Sequence, residues 1–264
     1  VKQILKRIDD CFNLLTNGLR SVLPRHQTLR AAIDWSYDLL TDKERMLFIR
    51  LAIFAGGWTL EAAEEVCSGN AVESSDILDL LSQLVNKSLV VVGTAEGEAR
   101  YRMLETIRQY AHENLLEAGD VEAIRYKYLA YFVKLAEQAK PQLHGPQQLA
   151  WLDRLDDEYG NIRAALNWAQ ESGAALAGLR LATDLDFFWI SRAHLQEPSM
   201  ALKNLLARPV PADQIQLFAR GHFLVGTLQW SGGNKMAGEA HLKESERLCL
   251  LLGTKGKVDL ARAR

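Results

Sequence analysis

The chain is short of several things, and each shortage removes a class of function. Its 264 residues hold three cysteines, Cys11, Cys67 and Cys249, widely separated and without a C-x-x-C pair. Neither a thiolate zinc site nor a disulfide framework is expected, and a reducing, cytoplasmic setting fits best. No run approaches the roughly 18 apolar residues of a membrane span, and the opening Val1-Lys2-Gln3-Ile4-Leu5-Lys6-Arg7 has no signal-peptide core. No excess of one charge exists either: 31 basic against 33 acidic side chains leave a formal net charge of -2, so any nucleic acid or anionic lipid would need a local patch. No G-x-x-x-x-G-K-[ST] is present to cradle a phosphate, and no G-x-S-x-G or Cys-His pairing suggests a nucleophile. The histidines, among them His112, His144, His194, His222 and His241, show no two-ligand spacing joined to a third ligand, so no metal site is expected. The absence of an initiator Met and the close of the chain within a new helical pattern from Val258 suggest a fragment of a longer protein.

What is present is helical patterning. Ile4, Leu5, Ile8, Phe12 and Leu15 keep a helical period that Asn17-Gly18 closes, and a second pattern runs from Leu29 to Leu40. Thr41 and Glu44 form a Thr-x-x-Glu capping box, opening a helix that carries Met46, Leu47, Phe48, Leu51 and Phe54 and stops at Gly56-Gly57. Thr59 caps a short helix through Cys67. Ser75 is expected to cap another, with Ile77, Leu80, Leu81, Leu84 and Val85 inward. The period then changes: Leu89 to Val92, a turn from Gly93 to Glu98, and Tyr101 to Leu104 read as a hairpin. Helical spacing resumes at Ile107, Ala111 and Leu115 and ends near Gly119. Three or four helices, a hairpin and a helix is the order of a winged helix-turn-helix domain.

Beyond Gly119 every element reads as helical, over Val121 to Gln138, Gln147 to Glu171, Ala174 to Arg192 and Ala219 to Leu252. Breaks are expected at Pro141 to Pro146, Ser172-Gly173, Pro209 to Pro211 and Gly232-Gly233. Antiparallel hairpins of this kind stack as an α-solenoid. In the last pair, Gly226, Gly233-Asn234, Gly238 and Leu242 sit roughly where a 34-residue tetratricopeptide unit wants them, with its aromatic displaced to Trp230. The expected class is therefore mainly α: a winged helix over 28–118 and a tetratricopeptide-like region over 119–264, with 1–27 as a preceding linker helix.

Three runs carry a resemblance. They are Leu23-Pro24-Arg25-His26-Gln27-Thr28-Leu29-Arg30-Ala31-Ala32-Ile33-Asp34-Trp35-Ser36-Tyr37-Asp38-Leu39-Leu40, then Leu84-Val85-Asn86-Lys87-Ser88-Leu89-Val90 with Tyr101 to Ala111, and Glu158-Tyr159-Gly160-Asn161-Ile162-Arg163-Ala164-Ala165-Leu166-Asn167-Trp168. Together they resemble bacterial STAND regulatory ATPases of the NB-ARC type associated with LuxR and SARP regulators. In that family a P-loop nucleotide-binding domain precedes the winged helix and helical repeats follow it. The resemblance implies ATP or ADP in the parent, no cofactor in this fragment, and no enzyme activity here. It also implies an upstream nucleotide-binding domain as partner, residues 1–27 as the end of the ATPase lid, and a protein or small-molecule inducer on the repeats.

Candidate site residues follow. Met103-Leu104-Glu105 falls where the family carries Met-His-Asp, but Leu104 cannot donate the hydrogen bond of the phosphate-sensing His, and Glu105 is expected to cap the next helix. Arg25-His26, between the first two helices, could sense a phosphate, or be a solvated linker. Arg100, Arg102 and Arg108 could form a basic strip on the wing, while Asp156-Asp157-Glu158 reads as a helix surface. Trp189, Phe223 and Trp230 could anchor a partner, or simply pack between helices. DNA binding by the winged helix is disfavoured by charge: from Thr28 to Glu117 stand eight basic and fifteen acidic residues, a balance of -7.

Overall fold

A computed structural model describes residues 24–95 and 98–252. The expected helix around Ile4 to Leu15, the Glu96-Gly97 turn tip and the pattern from Val258 lie outside the described residues. Two compact units are present, meeting at Ile124/Arg125.

In the first unit the order is α1 (Pro24–Asp38), α2 (Asp42–Leu51), β1 (Trp58–Thr59), α3 (Leu60–Cys67), a 3-10 turn (Ser74–Asp76), α4 (Ile77–Asn86), β2 (Val91–Ala95), β3 (Glu98–Arg102) and α5 (Glu105–Ala118). Local chemistry sets most of the boundaries. The Thr41 N–H donates to Glu44 Oε2 at 2.7 Å and the Glu44 N–H to Thr41 Oγ1 at 3.4 Å, so the capping box forms as expected. Thr59 Oγ1 accepts the Ala62 N–H at 3.2 Å. Gly119 closes α5 with φ +77°, a conformation open to glycine at little cost.

Several expectations need correction. α2 ends at Leu51, not near Gly56, and Phe54 instead stacks on Trp58 with ring centroids 5.4 Å apart. Ser75 lies inside the 3-10 turn and does not cap α4. The hairpin strands run closer to the turn than expected, pairing Val91 with Arg102 through to Ala95 with Glu98. A third strand, β1, joins β3 through Trp58↔Tyr101, giving the sheet order β1-β3-β2. Its two residues carry no periodicity to read; long-range pairing creates it.

The core of this unit gathers Leu47, Phe48, Leu51, Ala62, Val66, Ile77, Leu81, Leu84, Ile107 and Leu115. Among these apolar groups lies Arg50, only 2% exposed. Its guanidinium donates to the Cys67 and Gly69 carbonyls, each at 2.8 Å, and meets Asp120 at 3.4 Å. It thus ties α2 to the end of α3 and to the residue after α5.

The second unit holds most of α6 (Val121–Gln142), then α7 (Gln148–Asp157), α8 (Tyr159–Ser172), α9 (Ala175–Asp184), α10 (Asp186–Ser191), α11 (Gln196–Leu206), α12 (Ile215–Ser231) and α13 (Lys235–Leu251). α6 runs through Pro141 and ends a residue later, so the break falls just after the proline rather than at it. α11 falls between the segments expected to be helical; its Pro198 lies in the first turn, where proline is tolerated. α12 and α13 cross closely: a Cβ on Gly226 would sit 2.7 Å from Leu242 Cγ, and one on Gly238 2.9 Å from the Gly226 carbonyl. Asp184 accepts from Lys140 at 2.7 Å and from Arg220 at 3.0 Å, linking α6, α9 and α12.

The whole is mainly helical, a winged helix with a small antiparallel sheet followed by a helical region. No described helix is long and apolar enough to cross a membrane.

Arg50→Ala should lower the unfolding free energy by about 3 kcal/mol, because the buried Cys67 carbonyl and the partly buried Gly69 carbonyl lose their donor. Asp120→Asn, on a side chain 41% exposed, should cost under about 1 kcal/mol. Urea unfolding of both variants checks the order; an equally mild Arg50→Ala would contradict it.

Candidate interaction surfaces

In the winged helix, α4 occupies the recognition-helix position. Ile77, Leu81 and Leu84 point inward, while Leu80 and Val85, expected inside as well, are only half-buried. Leu78, Asp79, Ser82, Gln83 and Asn86 form the exposed face. That face has one carboxylate and no cation.

The cations nearby are occupied. Arg30 pairs with Glu113 at 3.1 Å and Lys43 with Asp76 at 2.7 Å. Arg45 donates to the Tyr37 and Asp38 carbonyls, and Arg50 is buried. Lys87 donates to Glu44 at 2.6 Å, and Arg100 to the Gly57 carbonyl at 3.1 Å. Arg108 grips Glu105 with two hydrogen bonds of 2.7 and 2.9 Å. Burial acts to raise the Glu44 carboxyl, but the Lys87 ammonium and the Thr41 hydrogen bonds hold it below the usual carboxylate range. Arg102, exposed on β3, is the only one of the eight for which no such partner is recorded among the described residues. The expected strip of Arg100, Arg102 and Arg108 therefore reduces to one free guanidinium.

Met103 is 9% exposed and belongs to the core, whereas Leu104 is 53% exposed at the N-cap of α5, without a side-chain cap. Glu105 does not cap α5 as expected. Its carboxylate turns to Arg108 and Gln109, and the Arg108 guanidinium holds it below the usual range despite burial. Arg25 and His26 stand in the first turn of α1 rather than in a linker; their side chains lie outside the described residues. At Trp35, 68% exposed, and Leu39, 57% exposed, one turn apart, α1 and the turn after it leave an apolar pair uncovered.

In the second unit Trp189 is 1% exposed, with Nε1 donating to the Ala182 carbonyl at 2.8 Å, so of its two expected roles it packs between helices and is not a surface anchor. Phe223 is half-buried beside Arg220 and Ser245. Trp230 is 48% exposed, with the Lys235 ammonium 5.7 Å from its ring centroid, and remains accessible. Glu158 is 3% exposed, not on a helix surface. It accepts from Asn161 Nδ2 at 2.6 Å, and the Tyr128 hydroxyl lies 3.0 Å from Asn161 Oδ1, so Glu158 and Asn161 of the third run serve an interior polar network.

A cleft of about 570 Å³ opens beside α11, lined by Tyr159, His194, Glu197, Ser199, Met200 and Gln229 among others. The Tyr159 hydroxyl donates to Glu197 at 2.7 Å, and its ring stacks on His194 with centroids 3.9 Å apart. Arg163 also holds Glu197 at 2.7 Å. Burial, then the Glu197 carboxylate, push the Tyr159 hydroxyl up to about 12, and burial lowers His194. Both groups are therefore neutral near pH 7. Sequence reasoning missed this cleft because it missed α11. On the neighbouring helices, His222 of α12 and His241 of α13 approach with Nδ1 atoms 3.0 Å apart. Nineteen residues separate them, a spacing that matches no ligand motif.

Comparisons agree with the first unit's architecture. Residues 40–116 match the family model of a winged helix-turn-helix domain. A Mycobacterium tuberculosis protein provisionally named an HTH-type transcriptional regulator is 42% identical over 195 residues, 74% of this chain but 22% of that protein. Its Mycobacterium bovis counterpart matches equally. An uncharacterized Mycobacterium tuberculosis protein is 39% identical over 127 residues, 48% of this chain and 32% of its own length. The chain thus spans about a fifth to a third of these relatives. No solved structure matches. Residues 40–116 are a winged helix-turn-helix domain, in a chain homologous to proteins named as HTH-type regulators.

Proposed function

We propose that the chain is a non-catalytic regulatory part of a longer STAND-type ATPase, in which the winged helix docks on a protein domain and does not read DNA. The observation that carries this is the exposed face of α4: Leu78, Asp79, Ser82, Gln83 and Asn86 offer phosphates one like charge and no counter-charge. Groove binding draws most of its non-specific affinity from Lys and Arg on phosphates. Here all of those side chains except Arg102 are engaged with carboxylates and carbonyls of the domain itself.

The docking partner on this reading is a nucleotide-binding domain preceding the winged helix, which is where ATP or ADP binds. The exposed pair Trp35 and Leu39 is the surface it covers. With Leu104 where a phosphate-sensing His would stand, the winged helix adds packing rather than a nucleotide contact. The helical region, read as tetratricopeptide-like hairpins, receives a ligand or protein signal, and the Tyr159/Glu197 cleft is the place built for it. Signal binding shifts the docked equilibrium to the extent that it favours one arrangement.

The names of the relatives favour a second reading, in which the winged helix itself contacts an operator, with Arg102 on the wing as its phosphate contact. Fluorescence anisotropy of the chain against mixed-sequence duplex DNA at low salt separates the two. Docking without DNA expects no saturation even at the weak end of ordinary non-specific binding, Kd about 10⁻⁴ M. Tighter, salt-sensitive binding weakened by Arg102→Ala would overturn it.

A further inference from the structure

His222 and His241 face each other across the α12–α13 crossing, with Nδ1 atoms 3.0 Å apart and ring planes inclined by 33°. Both rings are half-buried, so water and ions still reach them. A pair of neutral imidazoles at this distance has two uses. One Nδ1 can carry a proton and donate it to the other, or both can turn their lone pairs onto a shared metal ion.

The separation bears on the coordination geometry that would fit. With metal–nitrogen bonds of about 2.05 Å, two nitrogens 3.0 Å apart subtend about 94° at the metal. Tetrahedral zinc, at about 109°, would need them about 3.3 Å apart. A right angle belongs to adjacent positions of a tetragonal or octahedral ion.

We propose that His222 and His241 form a two-imidazole site for a divalent transition metal of tetragonal preference, Cu(II) or Ni(II), which clamps α12 to α13 with water in the remaining positions. No group of three or more metal-ligating side chains occurs among the described residues, so the protein supplies two ligands and leaves open coordination. Glu244, one turn after His241, is held by Arg247 at 2.6 Å and would become a third ligand only by releasing it.

The surroundings keep the rings in the form that ligates. Burial, then the neighbouring His241, push His222 down to about 4, against which the Glu244 carboxylate acts and with which Arg247 acts. Burial and the Lys203 ammonium of α11 lower His241. Metal entry then requires only that the donating ring shift its proton from Nδ1 to Nε2, with no net proton released.

The test is calorimetry and thermal unfolding of the full chain at pH 7 with NiCl2 or CuCl2, with MgCl2 as control. One equivalent should bind and raise Tm, and His222→Ala and His241→Ala should each lose that shift while their metal-free circular dichroism stays helical. No binding by the wild type, or equal binding by both variants, overturns the site. Should either variant misfold, the Cu(II) spin-resonance spectrum of the wild type decides: coupling to two nitrogens supports the site, and coupling to one or none refutes it.

Discussion

The first unit depends on a buried cation. Arg50 stands on α2 among apolar neighbours, and removing a guanidinium from water is tolerated only because acceptors wait for it. Two are carbonyls, of Cys67 and Gly69, at the place where α3 ends and the chain turns towards α4. The third is Asp120, just beyond the glycine that closes α5. One side chain thereby fixes the helix that opens the helix-turn-helix, the loop that aims its recognition helix, and the helix that follows the wing. Lys87 and Glu44 repeat the device on a smaller scale, joining the end of α4 to the capping box of α2.

That internal use of charge bears on function. A winged helix that reads DNA must present cations outward, and this one spends them holding helices together. What remains outward on α4 is one leucine, Leu78, among polar side chains and a carboxylate. A larger apolar pair lies at Trp35 and Leu39, in the region that a preceding domain is proposed to cover. The relatives named as HTH-type regulators are more than three times longer than this chain, so the proposal leaves any DNA contact to their remaining length.

Legibility in the sequence followed the range of the interactions. Features made within a few residues were readable: the Thr41/Glu44 box, the Thr59 cap, the Gly119 stop and the β-branched run of the hairpin. Features made across the chain were not. β1 exists because Trp58 finds Tyr101, and Arg50 counted only as a surface charge until its acceptors came together around it. The aromatics show the same limit: Trp189 and Trp230 share a helical period, yet one is core and the other is exposed. No helical pattern is read between Arg192 and Ala219, so α11 and the cleft beside it are missed, and the sequence spacing of His222 and His241 hides their contact.

The central claim is that the winged helix packs on a protein domain in the parent molecule. Hydroxyl-radical footprinting of Trp35 and Leu39 tests it directly, comparing this chain alone with the full-length ADP-bound parent. Docking expects both side chains to be labelled readily in the isolated chain and protected in the parent. Equal labelling in the two, with protection appearing instead on Leu78 when DNA is added, would contradict it.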